Sequence, residues 1–301
     1  MAKKKEESIL PVYDIQTFRG TGSKNSFFDI KILEQHLREH EVTLHPHRHD
    51  CYLILLVTRG HGKHIIDFVT YDVKPFSAFF LTPGQVHSWS FSEDAKGYVI
   101  FFTSSFYMLY KREKHLTDFP FFRTLGNPGA LQLDEHKEGL LITMLQEMVV
   151  ENSQDQLGRD EMLRNCLDII LTRLSRYYEQ SSPLRSTSAV TLQVRQLEAL
   201  IEAHFLKLKS PTEYADQMNV TPKHLNDVCR LALNKTVSDL IHERQLLEAK
   251  RSLAFTTATL KQIADHLDFN DKSYFIRFFK KYTGLTPDEF RESHLKVHQH
   301  P

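Results

Sequence analysis

Residues 45–50 read HPHRHD and set His45, His47 and His49 at alternate positions. Alternate residues of a strand share a face. Three imidazoles on one face are a ligand set for a transition metal, because zinc sites with three histidines and no carboxylate exist. Few other residues suggest covalent chemistry. Cys51, Cys166 and Cys229 are odd in number, widely spaced and free of any CxxC, which suits reduced, buried thiols. No GxSxG and no glycine-rich phosphate loop occurs. A different chemistry lies near the other end. Lys272, Ser273, Ile276, Arg277 and Lys280 recur at helical spacing, with Lys281 to one side and Phe275, Phe278, Phe279 and Tyr282 opposite. A helix that is basic outside and aromatic inside suits the DNA major groove.

These groups need scaffolds of two kinds. The 301 residues suggest two domains. Lys+Arg and Asp+Glu are equal at 38 each, so a case for nucleic acid rests on where charge sits. No apolar run is long enough for a membrane span, and MAKKKEESILPVYD lacks the apolar core of a secretory signal. Both features, with the cysteines, predict a cytoplasmic chain without membrane contact. LPVYDI, EVTLH, YLILLVT, KHIIDFVTY, SAFFLT and GYVIFF are short β-prone runs between turn signals such as TRGHG and TPGQ. They predict a barrel or sandwich over about 9–130. Helical periodicity follows over about 135–152 and 159–179. Leu163, Leu167, Ile170, Leu171 and Leu174 form one stripe, which either packs on its own barrel or makes a dimer seam. QSSPLRSTSAVT has linker composition, so the boundaries are placed at 1–180, 181–191 and 192–301.

The last 110 residues repeat at an offset of about 50. YADQMNVTPKHLNDVCRLALNKTVSDL lies over IADHLDFNDKSYFIRFFKKYTGLTPDEF, matching Ala215 to Ala264, Leu225 to Phe275, Asn234 to Gly284 and Leu240 to Phe290. Each copy reads helix, tight turn, helix. Ser210 and Thr221 are capping residues before Pro211 and Pro222, and Asn270 or Asp271 caps the last helix of the second copy. Asn234 and Gly284 stand where a helix ends in the left-handed region. The modules span about 208–234 and 259–284, and two short helices joined by a tight turn are a helix-turn-helix.

TLKQIADHLDFNDKSYFIRFFKKYTGLTPDEFRES resembles the second helix-turn-helix of the AraC/XylS family of bacterial transcription regulators. The resemblance rests on Ile263-Ala264, Ser273-Tyr274-Phe275, Arg277, Phe279-Lys280-Lys281, Gly284, Pro287 and Phe290-Arg291. HERQLLEAKRSL resembles the helix that links the two modules. The resemblance implies two recognition helices in successive major grooves of double-stranded DNA. It carries Ser273 and Arg277 to base edges or phosphates and Lys272 and Lys280 to the backbone. Lys223, Asn226 and Asp227 take the groove-facing positions of the first module. Asp227 departs from the basic residue common there; an acid accepts from cytosine N4 but opposes phosphate.

The first domain resembles the family's cupin-like sensor. HPHRHDCYLILLVTRGHG and LTPGQVHSW resemble two cupin motifs, with His47 and His49 as HxH, then Gly60, Pro83-Gly84 and His87. The slot of the cupin glutamate falls at Leu53, so no metal and no cofactor is assigned. His47, His49, Tyr52, His87 and Trp89 are read instead as the lining of a small-molecule effector pocket. The expected molecule is α+β. It has a cupin-like barrel followed by two helices, then an all-α domain of two helix-turn-helix modules joined by a long helix. The resemblance implies a ligand-responsive regulator, commonly an activator, that contacts RNA polymerase, and a homodimer through 135–180 is expected. A metal-dependent cupin enzyme or metal sensor fused to a DNA-binding domain is the alternative. A constitutive DNA binder whose barrel only dimerises the chain is a third reading.

Overall fold

The computed structural model describes residues 10–18, 27–40, 45–109, 116–122, 129–134, 139–181 and 189–297. The chain divides into two compact units, one over 11–185 and one carried by the chain from 186 onward.

The first unit carries ten strands among its described residues: β1 (Val12–Tyr13), β2 (Phe28–Ile32), β3 (His47–His49), β4 (Tyr52–Arg59), β5 (Gly62–Ile66), β6 (Val69–Val73), β7 (Ser77–Leu81), β8 (Val86–Phe91), β9 (Lys96–Phe102) and β10 (Ala130–Gln132). They form two five-stranded sheets, ordered β1-β3-β8-β5-β6 and β10-β7-β4-β9-β2. The strand β4 shows why this layering forms. Its run YLILLVT is apolar at every other residue on both faces. Leu53, Leu55 and Val57 join Trp89 and Phe101 in one core. Ile54 and Leu56 join a second core with helices α3 (Gly139–Ser153) and α4 (Arg159–Ser181). A strand buried on both faces reads as a continuous apolar run. Between these elements lie α1 (Leu33–Glu39), after β2, and α2 (Ser104–Met108), after β9.

Several sequence expectations change here. KHIIDFVTY is not one strand. Asp67 adopts φ 53° and turns the chain between β5 and β6. Residues 41–44 of EVTLH lie outside the described residues, and His45 precedes β3 rather than belonging to it. The leucine stripe of α4 is spent on its own core: Leu163, Leu167, Ile170, Leu171 and Leu174 are all buried against the sheet and α3. It is not available as a dimer seam. Gly62 is required by close approach, since a Cβ there would sit 2.1 Å from the Ser90 carbonyl across the β5–β8 pair.

The second unit is helical: α5 (Ala189–His204), α6 (Pro211–Gln217), α7 (Pro222–Leu233), α8 (Val237–Phe255), α9 (Leu260–His266), α10 (Lys272–Thr283) and α11 (Pro287–Val297). The helix α5 thus begins inside the stretch read as linker. Capping follows the sequence signals. Ser210 and Glu213 form a capping box on α6, Thr221 accepts from the His224 N–H, and Asp271 rather than Asn270 caps α10. Such caps each contribute about 1 kcal/mol. The two turns are alike. Asn219 and Asp268 have φ 54° and 56°. The following N–H, of Val220 or Phe269, donates to the carbonyl of Ala215 or Ala264 at 3.0 and 2.9 Å. Both α7 and α10 end in a left-handed residue, Asn234 and Gly284.

Two cations, the buried Arg244 and the half-buried Lys209, tie the helices of this unit. Arg244 of α8 donates to both carboxylate oxygens of Glu202 at 2.8 and 2.9 Å and to Glu248 at 3.0 Å, while stacking over Phe205. Lys209 sits just before the first module. Its Nζ donates to the Phe205 carbonyl at 3.1 Å and to the Leu267 carbonyl, at the turn of the second module, at 2.7 Å.

Candidate functional site

Two groups of residues carry the chemistry, one in each unit. In the first unit, strand alternation aims β3, β5 and β8 at the same interior. His47 pairs with His87 across β3–β8, and His64 pairs with Trp89 across β5–β8. The result is a buried imidazole cluster: His47 and His64 are 0% exposed, His87 1% and His49 3%. Ring centroids lie 4.2 Å apart for His47–His87, 4.9 Å for His47–His49 and 5.3 Å for His64–His87. His36 of α1 closes the cluster against Trp89 and Phe101.

The hydrogen bonds fix part of the proton arrangement. His47 Nδ1 lies 2.8 Å from the His45 carbonyl. A carbonyl only accepts, so Nδ1 carries the proton. Burial lowers the His47 pKa from 6.5 to about 4, so the ring is neutral at pH 7 and Nε2 holds a bare lone pair. That lone pair lies 3.2 Å from His49 Nε2. His87 Nδ1 lies 3.0 Å from His64 Nε2, and His87 Nε2 has no hydrogen-bond partner among the described residues. Desolvation also lowers the pKa of His64 and His36 to about 3. It holds His49 and His87 well below the usual histidine value, with the neighbouring imidazoles adding to the effect. One ring nitrogen each of His47, His49 and His87 lies within 4.8 Å of the other two.

Four of the five residues expected to line a pocket come together here: His47, His49, His87 and Trp89. Tyr52 does not. It opens β4 on the opposite face of the sheet and packs on Phe102 and Phe122 with the second core. His45, expected on the histidine face, is exposed and offers only its carbonyl. Leu53, in place of the cupin glutamate, is fully buried in the histidine-side core. Sequence reasoning missed His64 and His36. For His64 a signal existed, since KHIID alternates and puts His64 on the face of Ile66.

In the second unit the outer face of α10 keeps the polar residues read there, while Ile276, read on the same face, is half-buried. Lys272, Ser273, Arg277 and Lys280 are exposed, and Phe275, Phe278 and Phe279 are buried. Arg277 leans toward the Tyr274 ring, 6.0 Å away. Tyr282 sits at the rim rather than inside and bonds His242 at 2.7 Å. On α7, Lys223 and Asp227 are exposed, but Asn226 is turned inward. Its Nδ2 donates to the Pro222 carbonyl at 3.1 Å, and its Oδ1 accepts from the Val237 N–H at 3.1 Å. Both ends of the amide are engaged, so Asn226 fastens α7 to the start of α8 rather than facing a groove. The repeat itself carried this signal. The offset of 50 that sets Leu225 on Phe275 sets Asn226 on Ile276, which is half-buried, and Arg230 on Lys280. Arg230 is exposed in line with Lys223 and Asp227, and sequence reasoning missed it.

The model of the AraC-like ligand binding domain matches residues 27–192, and that of a helix-turn-helix domain matches residues 214–293. The HTH-type transcriptional activator RhaR of Escherichia coli (strain K12) is 23% identical over 257 residues, covering 81% of this chain and 86% of that protein. RhaR of Shigella flexneri serotype 5b (strain 8401) matches to the same extent. Among solved structures, ToxT from Vibrio cholerae covers 88% of this chain and 98% of its own at a TM-score of 0.43 and 16% identity. The C-terminal domain of the response regulator YesN from Fusobacterium nucleatum covers 32% of this chain and 93% of its own at a TM-score of 0.30 and 23% identity. The ligand-binding-domain match extends over more than half of the chain and the helix-turn-helix match over both modules, so this chain belongs to the AraC family of DNA-binding transcriptional regulators.

Proposed function

We propose that this regulator is an activator whose DNA contacts are made by Lys223, Asp227, Arg230, Lys272, Ser273, Arg277 and Lys280, and whose effector binds among His47, His49, His87 and Trp89. The observation that carries the DNA side is the pair of matched modules with outward cations on α7 and α10. The activator assignment is supported by the similarity to RhaR. It makes RNA polymerase a partner when the protein sits beside a promoter. An effector can shift promoter occupancy only by binding two states of the protein with different affinity. The chain is not an enzyme in this reading, because an aliphatic Leu53 stands where catalytic cupins place a carboxylate. It works in the cytoplasm; no described helix is long and apolar enough to cross a membrane.

Homodimerisation uses the outward face of α4 rather than its leucine stripe. Met162 and Ile169, seven residues apart, are 52% and 48% exposed on that face. The DNA assignment is tested by fluorescence anisotropy on the chain's own upstream region. Arg277→Ala weakens specific binding by about 1–3 kcal/mol, roughly 5- to 150-fold, if it pairs with a base. An unchanged isotherm rejects α10 as the reading helix.

A further inference from the structure

The two helix-turn-helix copies share a backbone and differ in charge. The offset of 50 sets Lys223 on Ser273, Asp227 on Arg277, Arg230 on Lys280 and Leu231 on Lys281. All eight side chains are exposed. Helix α10 also carries Lys272 in its first turn, where α7 has Pro222. It therefore presents Lys272, Arg277, Lys280 and Lys281 and no acid, whereas α7 presents Lys223 and Arg230 against Asp227. Leu231 is 76% exposed, so burial does not account for the missing cation there. The helices ahead of them differ in the same direction. On α6 the exposed charges are Glu213 and Asp216, with no cation, while on α9 Lys261 stands with Asp265.

We infer that the two modules divide DNA binding unequally: α10 holds duplex of any sequence by its phosphates, and α7 seats only where a base edge donates to Asp227. A cation that neutralises a phosphate releases a counterion whatever the sequence. Four such contacts give a salt slope of about −3.6, or roughly a 150-fold loss of affinity between about 50 and 200 mM salt. Helix α7 has little of that attraction to offer, and Leu231 releases no counterion. Asp227 is repelled by phosphates on most sequences, and the N4 amino group of a cytosine in the major groove is a donor that reverses this. A group that disfavours the wrong partner as well as favouring the right one raises selectivity without raising general affinity. On random duplex the chain thus sits on its second module, and the first module decides whether it stays. The inference rests on α7 and α10 being the DNA-facing helices and assigns them different tasks.

The test is fluorescence anisotropy of the full chain over a salt series on two duplexes. One is enriched from a random-sequence pool by the wild-type chain, and the other is its scrambled counterpart. Lys280→Gln with Lys281→Gln lowers the salt slope on both duplexes by about two. Lys223→Gln with Arg230→Gln leaves slope and affinity on the scrambled duplex within about twofold of wild type, and weakens the enriched duplex at least tenfold, about 1.4 kcal/mol. All four positions are exposed, so both variants keep the wild-type unfolding midpoint. A slope on scrambled DNA that falls as much for the α7 pair as for the α10 pair overturns the division of tasks, and leaves both helices facing DNA. Slopes that neither pair changes on either duplex remove the DNA-facing assignment itself, and the inference with it.

Discussion

Burial keeps the five barrel histidines neutral, and this has a measurable cost in acid. Their pKa values in the fold lie below the unfolded value of 6.5, with His47 at about 4 and His36 and His64 at about 3. A depressed histidine pKa means that the unfolded chain binds more protons than the native one between the two values. Stability is therefore full above about pH 6.5 and falls as the pH drops toward 4 and below. Each such histidine contributes a slope of up to about 1.4 kcal/mol per pH unit within that window. Thermal unfolding of metal-free protein should show a midpoint that declines steeply between pH 6.5 and 4, and His64→Leu should flatten the decline. A midpoint indifferent to pH over that range would mean the histidines open to water. On α7, Asp227→Lys should raise affinity for random DNA and steepen its salt dependence by about one counterion. Affinity for the operator should instead fall if Asp227 accepts from a cytosine.

At the scale of elements, much could be read from periodicity. The helix-turn-helix pairs, their Thr221 and Asp271 caps and their left-handed ends at Asn234 and Gly284 follow from local rules that neighbours do not override. The strands β4, β7 and β9 were legible as apolar runs, but their two-sided burial was not, because a continuous run does not say which face meets helices. That is why Tyr52 was misplaced: its neighbour Leu53 points to the histidines, and alternation alone gives two faces without naming them. Asn226 was misread for a different reason. A polar residue on a helix reads as solvent-facing until its amide is seen bridging Pro222 and Val237. Asn226→Ala removes a bond to the first turn of α8 and leaves the Val237 N–H unsatisfied. It should destabilise the helical unit by about 1–3 kcal/mol, seen as an earlier urea transition in the full chain. On α4, Ile169→Glu should leave the fold intact and shift sedimentation from dimer to monomer. A monomeric wild type at micromolar concentration would remove that interface.

At the scale of the whole chain, the two units differ in how they hold together. The first is closed by sheets and two apolar cores, with four buried histidines on β3, β5 and β8 and further buried polar groups at Asp29, His36, Ser77, Asn152 and Arg164. The second is, among the described residues, seven helices fastened through α8, which packs against helices of both modules, and through the buried Arg244 and the half-buried Lys209. Nothing in the sequence pattern singles out Lys209 or Arg244, because their partners Leu267 and Glu202 lie 58 and 42 residues away along the chain. Lys209 has a consequence for operator design. Its ammonium joins the end of α5 to the turn between α9 and α10, so the two reading heads have no free joint between them. Such a unit behaves as a fixed-length gauge. One inserted base pair between the two half-sites moves them about 3.4 Å apart and turns one by roughly a tenth of a revolution. A rigid gauge cannot follow that screw motion without lifting one head. Spacer length should then be read as strictly as any base, and Lys209→Met should blur that reading before it weakens binding to the correctly spaced site.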